Sequence, residues 1–406
     1  MKDSVQSSIA LNAAGARLDL LQPNEVPSDW SWLRPETLAS LNMAFPLSAA
    51  DQIPKLLTQS GIQFWGINVD GRLRALYLCS NHLQHQVTRI AFIALPHARG
   101  LKLLTQTFGQ LADRLLSASS PKLSVYLLGC EVRRLWPLLR VNRHFFLEGR
   151  LRQVWHPALQ RNEDVFVLSA LGCGSKPPYG SLWLNASAKA SRRFFSSWTV
   201  DQSITNLPER PARGSTLVDA SGYQLRTLTA KDANETLVHW LNSPRLISSM
   251  NLPRFNYSLA SVRALLASFD RQYNQFIGVY RHGSDQLIGF YTVLVDERAR
   301  HAQLALCVYP VDVPAVRIMV DTITPLTDSF FERFAIQKIT GNVLVTNRRM
   351  LLSLSYNFTF LLEAVLRQEC EGDHSRIDVA VFSTFRDHDL RPKTGHFMLS
   401  KGDESP

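Results

Sequence analysis

RRLWPLLRVNRHFFLEGRLRQ, residues 133–153, and RRMLLSLSYNFTFLLEAVLRQ, residues 348–368, are the two stretches whose reading decides the fold. Laid over one another, Arg133, Arg134, Asn142, Phe145, Leu147, Glu148, Leu151, Arg152 and Gln153 each meet an identical residue. Ordinary composition gives about one match in a window of this size. The segment is therefore present twice, and 406 residues leave room for two domains of usual size.

The agreement continues upstream, with small changes of offset where loops differ in length. Phe64-Trp65-Gly66-Ile67 answers Phe276-Ile277-Gly278-Val279, and each is followed by a turn (Asp70-Gly71; His282-Gly283-Ser284-Asp285). Alternating apolar runs at 73–79 and 287–295 then read as the second strands of hairpins. A third strand, 88–95 or 303–309, ends at Pro96 or Pro310. Apolar residues every three or four positions predict helices over 101–116 and 316–334. Strands at 124–128 and 340–345, second helices at 133–140 and 348–355, and last strands at 164–171 and 378–385 complete each copy. Short opening strands fall at 17–21 and 224–228, and a further helix at 259–270.

The expected division is a tail at 1–15, a domain at 16–171, a linker at 172–222, a domain at 223–390 and a tail at 391–406. The linker is rich in Gly, Pro and Ser but carries Trp183, Phe194, Phe195 and Trp198, so part of it is expected to pack. The fold class expected is α/β: two tandem domains, each with a mixed, mainly antiparallel central sheet flanked by helices.

Five scattered cysteines, never spaced as CxxC, fit buried thiols better than disulfides or zinc. No apolar run approaches the length that spans a bilayer, and the first residues lack the pattern of a secretory signal, so the expected location is the cytoplasm. A net charge of +10 suits any polyanion: a phosphorylated cofactor, an anionic membrane surface, RNA or an acidic protein. The basic residues are spread in short groups, which reads equally as a solvated face. No P-loop, Gly-x-Ser-x-Gly elbow or metal-ligand spacing appears, and His82 with His85 lacks further ligands.

The element order and the closing Phe-x-x-Glu-x-x-Leu-Arg (145–152; 360–367) resemble the GNAT superfamily of acyl-CoA-dependent N-acyltransferases. The second copy looks closest to the branch that acetylates ribosomal-protein N-termini, with Asp232 after the opening strand and Asp378 before the last. The resemblance covers roughly 16–171 and 223–386. It implies acetyl-CoA or another acyl-CoA as co-substrate, no metal, and an amine acceptor, either a small molecule or a protein N-terminus. It places the pantetheine arm along Cys307, Val308 and Tyr309, or 93–95 in the first copy, with the pyrophosphate on the next helix N-terminus.

The resemblance also assigns residues. Asn347 would contact the cofactor and fix the last helix, and Tyr356, or Ser355 if the helix register differs by one, would protonate the departing thiolate. Glu297, beside Asp296, would be the amine's base, although an exposed acidic turn with Arg298 and Arg300 is the simpler explanation of both. Tyr356 can instead simply pack against the sheet. The phosphate loop departs from the family's glycine-rich pattern: the second copy reads Val311-Asp312-Val313-Pro314-Ala315-Val316-Arg317, so only Arg317 offers a cation, unless it is a plain surface arginine. The first copy keeps Arg99, Gly100, Leu101 and Lys102. Glu148 with Arg152 and Glu363 with Arg367 read as structural ion pairs. Three functions stay open: an N-acyltransferase with one catalytic copy, an inactive tandem scaffold, or a transferase fed by aminoacyl-tRNA.

Overall fold

The computed structural model describes all residues except 1–7, 11–15, 44, 46–51, 57, 83–84, 96–99, 119, 133, 136–144, 173–214, 245, 247–255, 309–314, 358–359, 373–374 and 392–406. The chain forms two compact units, residues 1–202 with 367–376, and residues 203–366 with 377–406. The aromatic residues of the expected linker, Trp183, Phe194, Phe195 and Trp198, lie outside the described residues.

In the first unit the alternating runs become β1 (Ser8–Ala10), β2 (Ala16–Leu20), β3 (Ile62–Val69), β4 (Arg72–His82), β5 (Val87–Ala94), β6 (Lys122–Leu128), β7 (Phe146–His156) and β8 (Arg161–Leu171). They lie in the order β1-β2-β3-β4-β5-β6-β8-β7. Among the described residues each of these pairings is antiparallel except β5 with β6, because the helix α3 (Gly100–Ala118) crosses between those two strands. Leu104, Phe108, Leu111, Ala112 and Leu115 give α3 its buried stripe against one sheet face. The other face is covered from α1 (Pro35–Asn42) and α2 (Ile53–Leu56), whose Leu41, Ile53 and Leu56 meet Phe64, Leu76 and Leu78.

The second unit repeats this plan with β9 (Leu217–Ala220), β10 (Tyr223–Thr227), β11 (Asn274–Arg281), β12 (Leu287–Asp296), β13 (His301–Val308), β14 (Lys338–Leu344), β15 (Leu361–Glu371) and β16 (Arg376–Phe385), except that residues 367–371 of β15 and Arg376 of β16 belong to the first unit. The order is again β9-β10-β11-β12-β13-β14-β16-β15, with β13 and β14 the parallel pair. Helices α4 (Glu235–Asn242) and α5 (Leu259–Ser268) supply Leu237, Trp240, Val262 and Leu266 to one face. Helix α6 (Ala315–Arg333) supplies Ile318, Ile323, Leu326 and Phe330 to the other, and α7 (Arg348–Asn357) follows β14. Among the described residues no helix is long and apolar enough to cross a membrane.

The structure corrects the expected organisation at four places. Residues 8–10, within the expected tail, pair with β2 (Ser8↔Asp19). Residues 217–220, within the expected linker, form a hairpin with β10 around Gly222, whose φ of 79° suits glycine. Arg391, assigned to the C-terminal tail, is buried, with Nη2 on Asp328 Oδ1 at 2.9 Å. Most importantly, the closing motif is itself a strand in each copy, β7 or β15, which the sequence reading left without one. Gln153 (φ 52°) and Gln368 (φ 50°) stand at the same position of the repeat and give it the same kink.

Candidate functional site

In each unit the parallel pair is joined over only three residues. β5 meets β6 at Val87↔Lys122, Thr88↔Leu123 and Arg89↔Ser124, and β13 meets β14 at His301↔Lys338, Ala302↔Ile339 and Gln303↔Thr340. Beyond that the strands keep their other neighbours. β5 follows β4 to Ala94↔Ala75 while β6 follows β8 to Leu128↔Val165; β13 follows β12 to Val308↔Gly289 while β14 follows β16 to Leu344↔Val379. The result is a V in each sheet, and along its inner edge residues 90–94 or 304–308 have one strand partner. Their outward N–H and C=O groups form a polar edge that an extended amide-bearing chain can join as a strand.

Beyond the open end lies the start of a 19-residue helix, α3 in the first unit and α6 in the second. Such a terminus presents unpaired N–H groups to an anion. Gly100 opens α3, and a Cβ there would lie 3.2 Å from Ala94 Cβ and 3.3 Å from the Arg74 carbonyl, so glycine lets the helix start close against the strands. Leu101 is half-buried and Lys102 exposed. In the second unit Arg317 Nε donates to Asp321 Oδ2 at 2.9 Å, one turn along α6, with 68% of its side chain exposed. That arginine is paired on the helix surface.

Cys307 is buried with Phe276, Phe290 and Leu287, and burial pushes its thiol up to about 12, so it stays protonated. Val308 is the last residue of β13. Asn347 lies beyond the end of β14, at the same open end, and its Oδ1 accepts from Met350 N–H at 3.2 Å, capping α7. The backbone of Ser355 and Tyr356 belongs to α7, while their side chains, like Tyr309 and Arg99 as a whole, lie outside the described residues. Glu297 is not brought to this end. It sits in the turn before β13, at the closed end of the V, with Oε1 3.4 Å from Ala335 N. Seven residue steps of strand, about 23 Å, separate His301 from Val308, which removes Glu297 from the mouth.

Sequence reasoning missed the polar groups under the closed end. Lys122, fully buried, places Nζ 3.0 Å from both Glu148 oxygens, and Ser169 Oγ donates to Glu148 at 2.7 Å. The first unit also includes Glu369, whose Oε2 is 2.8 Å from the same Nζ. In the second unit Lys338 Nζ lies 2.6 Å from Glu363, which accepts from Ser383 Oγ at 2.6 Å. Each motif glutamate thus meets a buried lysine, Lys122 or Lys338, where the sequence pointed to Arg152 and Arg367. Burial pulls Lys122 down, but Glu148 and Glu369 outweigh it and hold the ammonium above its ordinary value. A second repeated feature was equally missed. Tyr77 Oη donates to the Leu104 carbonyl at 2.7 Å and meets Thr107 Oγ1 at 2.7 Å, while Tyr291 Oη meets Thr322 Oγ1 at 2.7 Å. Each pins the long helix to its sheet.

No family model and no curated protein sequence matches this chain. Solved structures do. One titled RimL, ribosomal L7/L12 alpha-N-protein acetyltransferase, is 14% identical, with 44% of this chain covering 99% of that one at a TM-score of 0.37. Spermidine N-acetyltransferase from Vibrio cholerae, solved with CoA and spermine, is 18% identical over 42% of this chain and 99% of its own, TM-score 0.37. A probable GNAT-family acetyltransferase from Chromobacterium violaceum is 17% identical over 47% and 97%, TM-score 0.39. Over somewhat less than half its length, then, this chain is similar to nearly whole GNAT acetyltransferases.

Proposed function

We propose that this chain is an acyl-CoA-dependent N-acyltransferase that acylates an amine, with transfer in the second unit and the first unit structural or substrate-binding. The observation that carries the reading is the V between β13 and β14, open at one end onto the start of α6. Residues 304–308 would hold the pantetheine amides as a strand neighbour, and the α6 N-terminus the pyrophosphate. When bound, acyl-CoA supplies the activated thioester. Asn347 fixes the α7 N-terminus beside the same opening, and α7 carries Tyr356, the proposed proton donor to the leaving thiolate. The acceptor is a small-molecule amine or a protein N-terminus.

One observation favours a second reading, a tandem scaffold without catalysis: the cation expected to help hold phosphate, Arg317, is already paired with Asp321. Titration calorimetry with acetyl-CoA separates the two. The transferase reading expects saturable binding that Asn347→Ala weakens and Lys102→Glu leaves unchanged. If Lys102→Glu abolishes it and Asn347→Ala does not, the first unit is the cofactor site. No heat at about 1 mM ligand, where binding weaker than about −4 kcal/mol begins, sinks both placements.

A further inference from the structure

The corner of each sheet where the first strand of the main ladder meets the first hairpin is built on one register. Leu21 N–H donates to Phe64 O in the first unit, as Leu228 N–H does to Phe276 O in the second. Asn68 pairs with Leu73 across the hairpin as Tyr280 pairs with Leu287, each next to a register shift. Asp19 therefore stands where the second unit has Arg226, Asn68 where it has Tyr280, and Glu25 where it has Asp232. Glu25 and Asp232 each close a one-turn helix by accepting from a backbone N–H, Gln22 at 2.7 Å and Thr229 at 2.8 Å.

The second unit fills its corner from within. The Arg226 guanidinium lies 4.4 Å from the centre of the Tyr280 ring and donates to Asp232 Oδ1 at 2.8 Å, a cation held between an aromatic face and a carboxylate. At the matching positions the first unit has Asn68 and Asp19 in place of the aromatic ring and the cation. What remains is a cavity of about 460 Å³ lined by Arg17 together with Asp19, Glu25, Asn68, Leu21 and Leu73. That volume is in the range of small-molecule sites, about 300–1,000 Å³. Asn68 Nδ2 donates to Asp19 Oδ2 at 2.9 Å and holds the carboxylate. Arg17, whose side chain is 65% exposed, approaches Asp19 only to 3.6 Å, an ion pair of the kind that contributes little. Two carboxylates thus line the space that a guanidinium occupies in the sister unit.

We propose that this cavity is a binding site for a small organic cation, a guanidinium or alkylammonium compound, which takes the place that Arg226 holds in the second unit. The charged head meets Asp19 and Glu25, and Leu21 and Leu73 line an apolar wall for its methylene chain. The site is independent of acyl transfer and is tested without any CoA present, so failure of either idea leaves the other standing. Agmatine, titrated calorimetrically into the full chain at low ionic strength, is expected to bind saturably at one site and to weaken with added salt. Asp19→Asn is expected to weaken it about tenfold or more, the size of a lost charge-assisted contact. The double variant Asp19→Arg with Asn68→Tyr, which installs the second unit's own filling, is expected to abolish binding while the chain keeps its cooperative unfolding. Undiminished agmatine binding in that double variant overturns the proposal. So does the absence of saturation in the parent chain at about 10 mM, or equal binding of acetate.

Discussion

The two units share a strand order, a V and a buried lysine–glutamate pair, yet they spend their polar residues differently. In the second unit Lys338 meets Glu363, and Arg226 is satisfied by Asp232 and Tyr280; the cations there are neutralised internally. In the first unit Lys122 meets two carboxylates, Glu148 and Glu369, and the corner that holds Arg226 in the sister unit carries Asp19 and Glu25 around open space. What the two units share is what the sheet needs under the V. What diverged is at the corner, where packing no longer dictates a residue and a ligand can.

The strongest way to break this comparison is to remove the buried lysines. Lys122→Met leaves Glu148 without its cation in a fully buried setting, and removing one partner of a buried pair costs about 3–5 kcal/mol. Lys338→Met strands one carboxylate instead of two, so its loss is expected at the lower end of that range. Urea unfolding of both variants measures the difference. If Lys122→Met unfolds at the midpoint of the parent chain, the buried network is structurally idle. Adding Glu148→Gln to Lys122→Met should recover part of the loss, because a neutral amide needs no counter-charge.

This network also marks the boundary of what sequence could reveal. Glu148 and Glu363 were visible as repeated letters, and their repetition pointed to an ion pair. Their partners were not visible, because Lys122 and Lys338 lie outside the aligned window and a lysine is ordinarily a surface residue. Nearest-in-sequence arginines were the natural choice, and only the strand order β6-β8-β7 brings the lysines in. The three-strand meander and the long helix were legible because alternation and 3.6-residue periodicity are local signals. The strand over the closing motif was not: its buried glutamate and its kink at Gln153 or Gln368 break the alternation. Asn347 was singled out by the family resemblance, and the structure gives it the capping position of α7. Glu297 was misplaced because proximity in sequence to β13 says nothing about which end of that strand the V opens from.

A smaller effect sharpens the same contrast between units. Tyr77 makes two hydrogen bonds to α3 and Tyr291 one to α6, both fully buried. Tyr77→Phe leaves the Thr107 hydroxyl without that partner and is expected to cost about 1.5 kcal/mol, against about 1 kcal/mol for Tyr291→Phe. Equal values in denaturant titrations would show that the second bond of Tyr77 contributes nothing net.

The smallest effect at neutral pH belongs to the first unit, on β7. His156 is buried, its Nε2 has no hydrogen-bond partner among the described residues, and burial together with Arg161 pushes its pKa down from 6.5 to about 4. A histidine lowered on folding is neutral in the native state and takes up its proton more readily when unfolded. Its contribution is therefore fully present above pH 6.5 and is lost as the pH falls toward 4, the loss amounting to about 1.4 kcal/mol by pH 5.5. His156→Phe, which fills similar space and cannot titrate, should leave stability near pH 7.5 close to the parent value and flatten its decline between pH 6.5 and 4. The measurement is the difference between the two urea midpoints across that range. A difference independent of pH would mean the imidazole is solvated in the native unit. In that case the buried polar groups of the first unit are less dry than the fully enclosed Lys122 requires, and the cost expected of Lys122→Met falls with it.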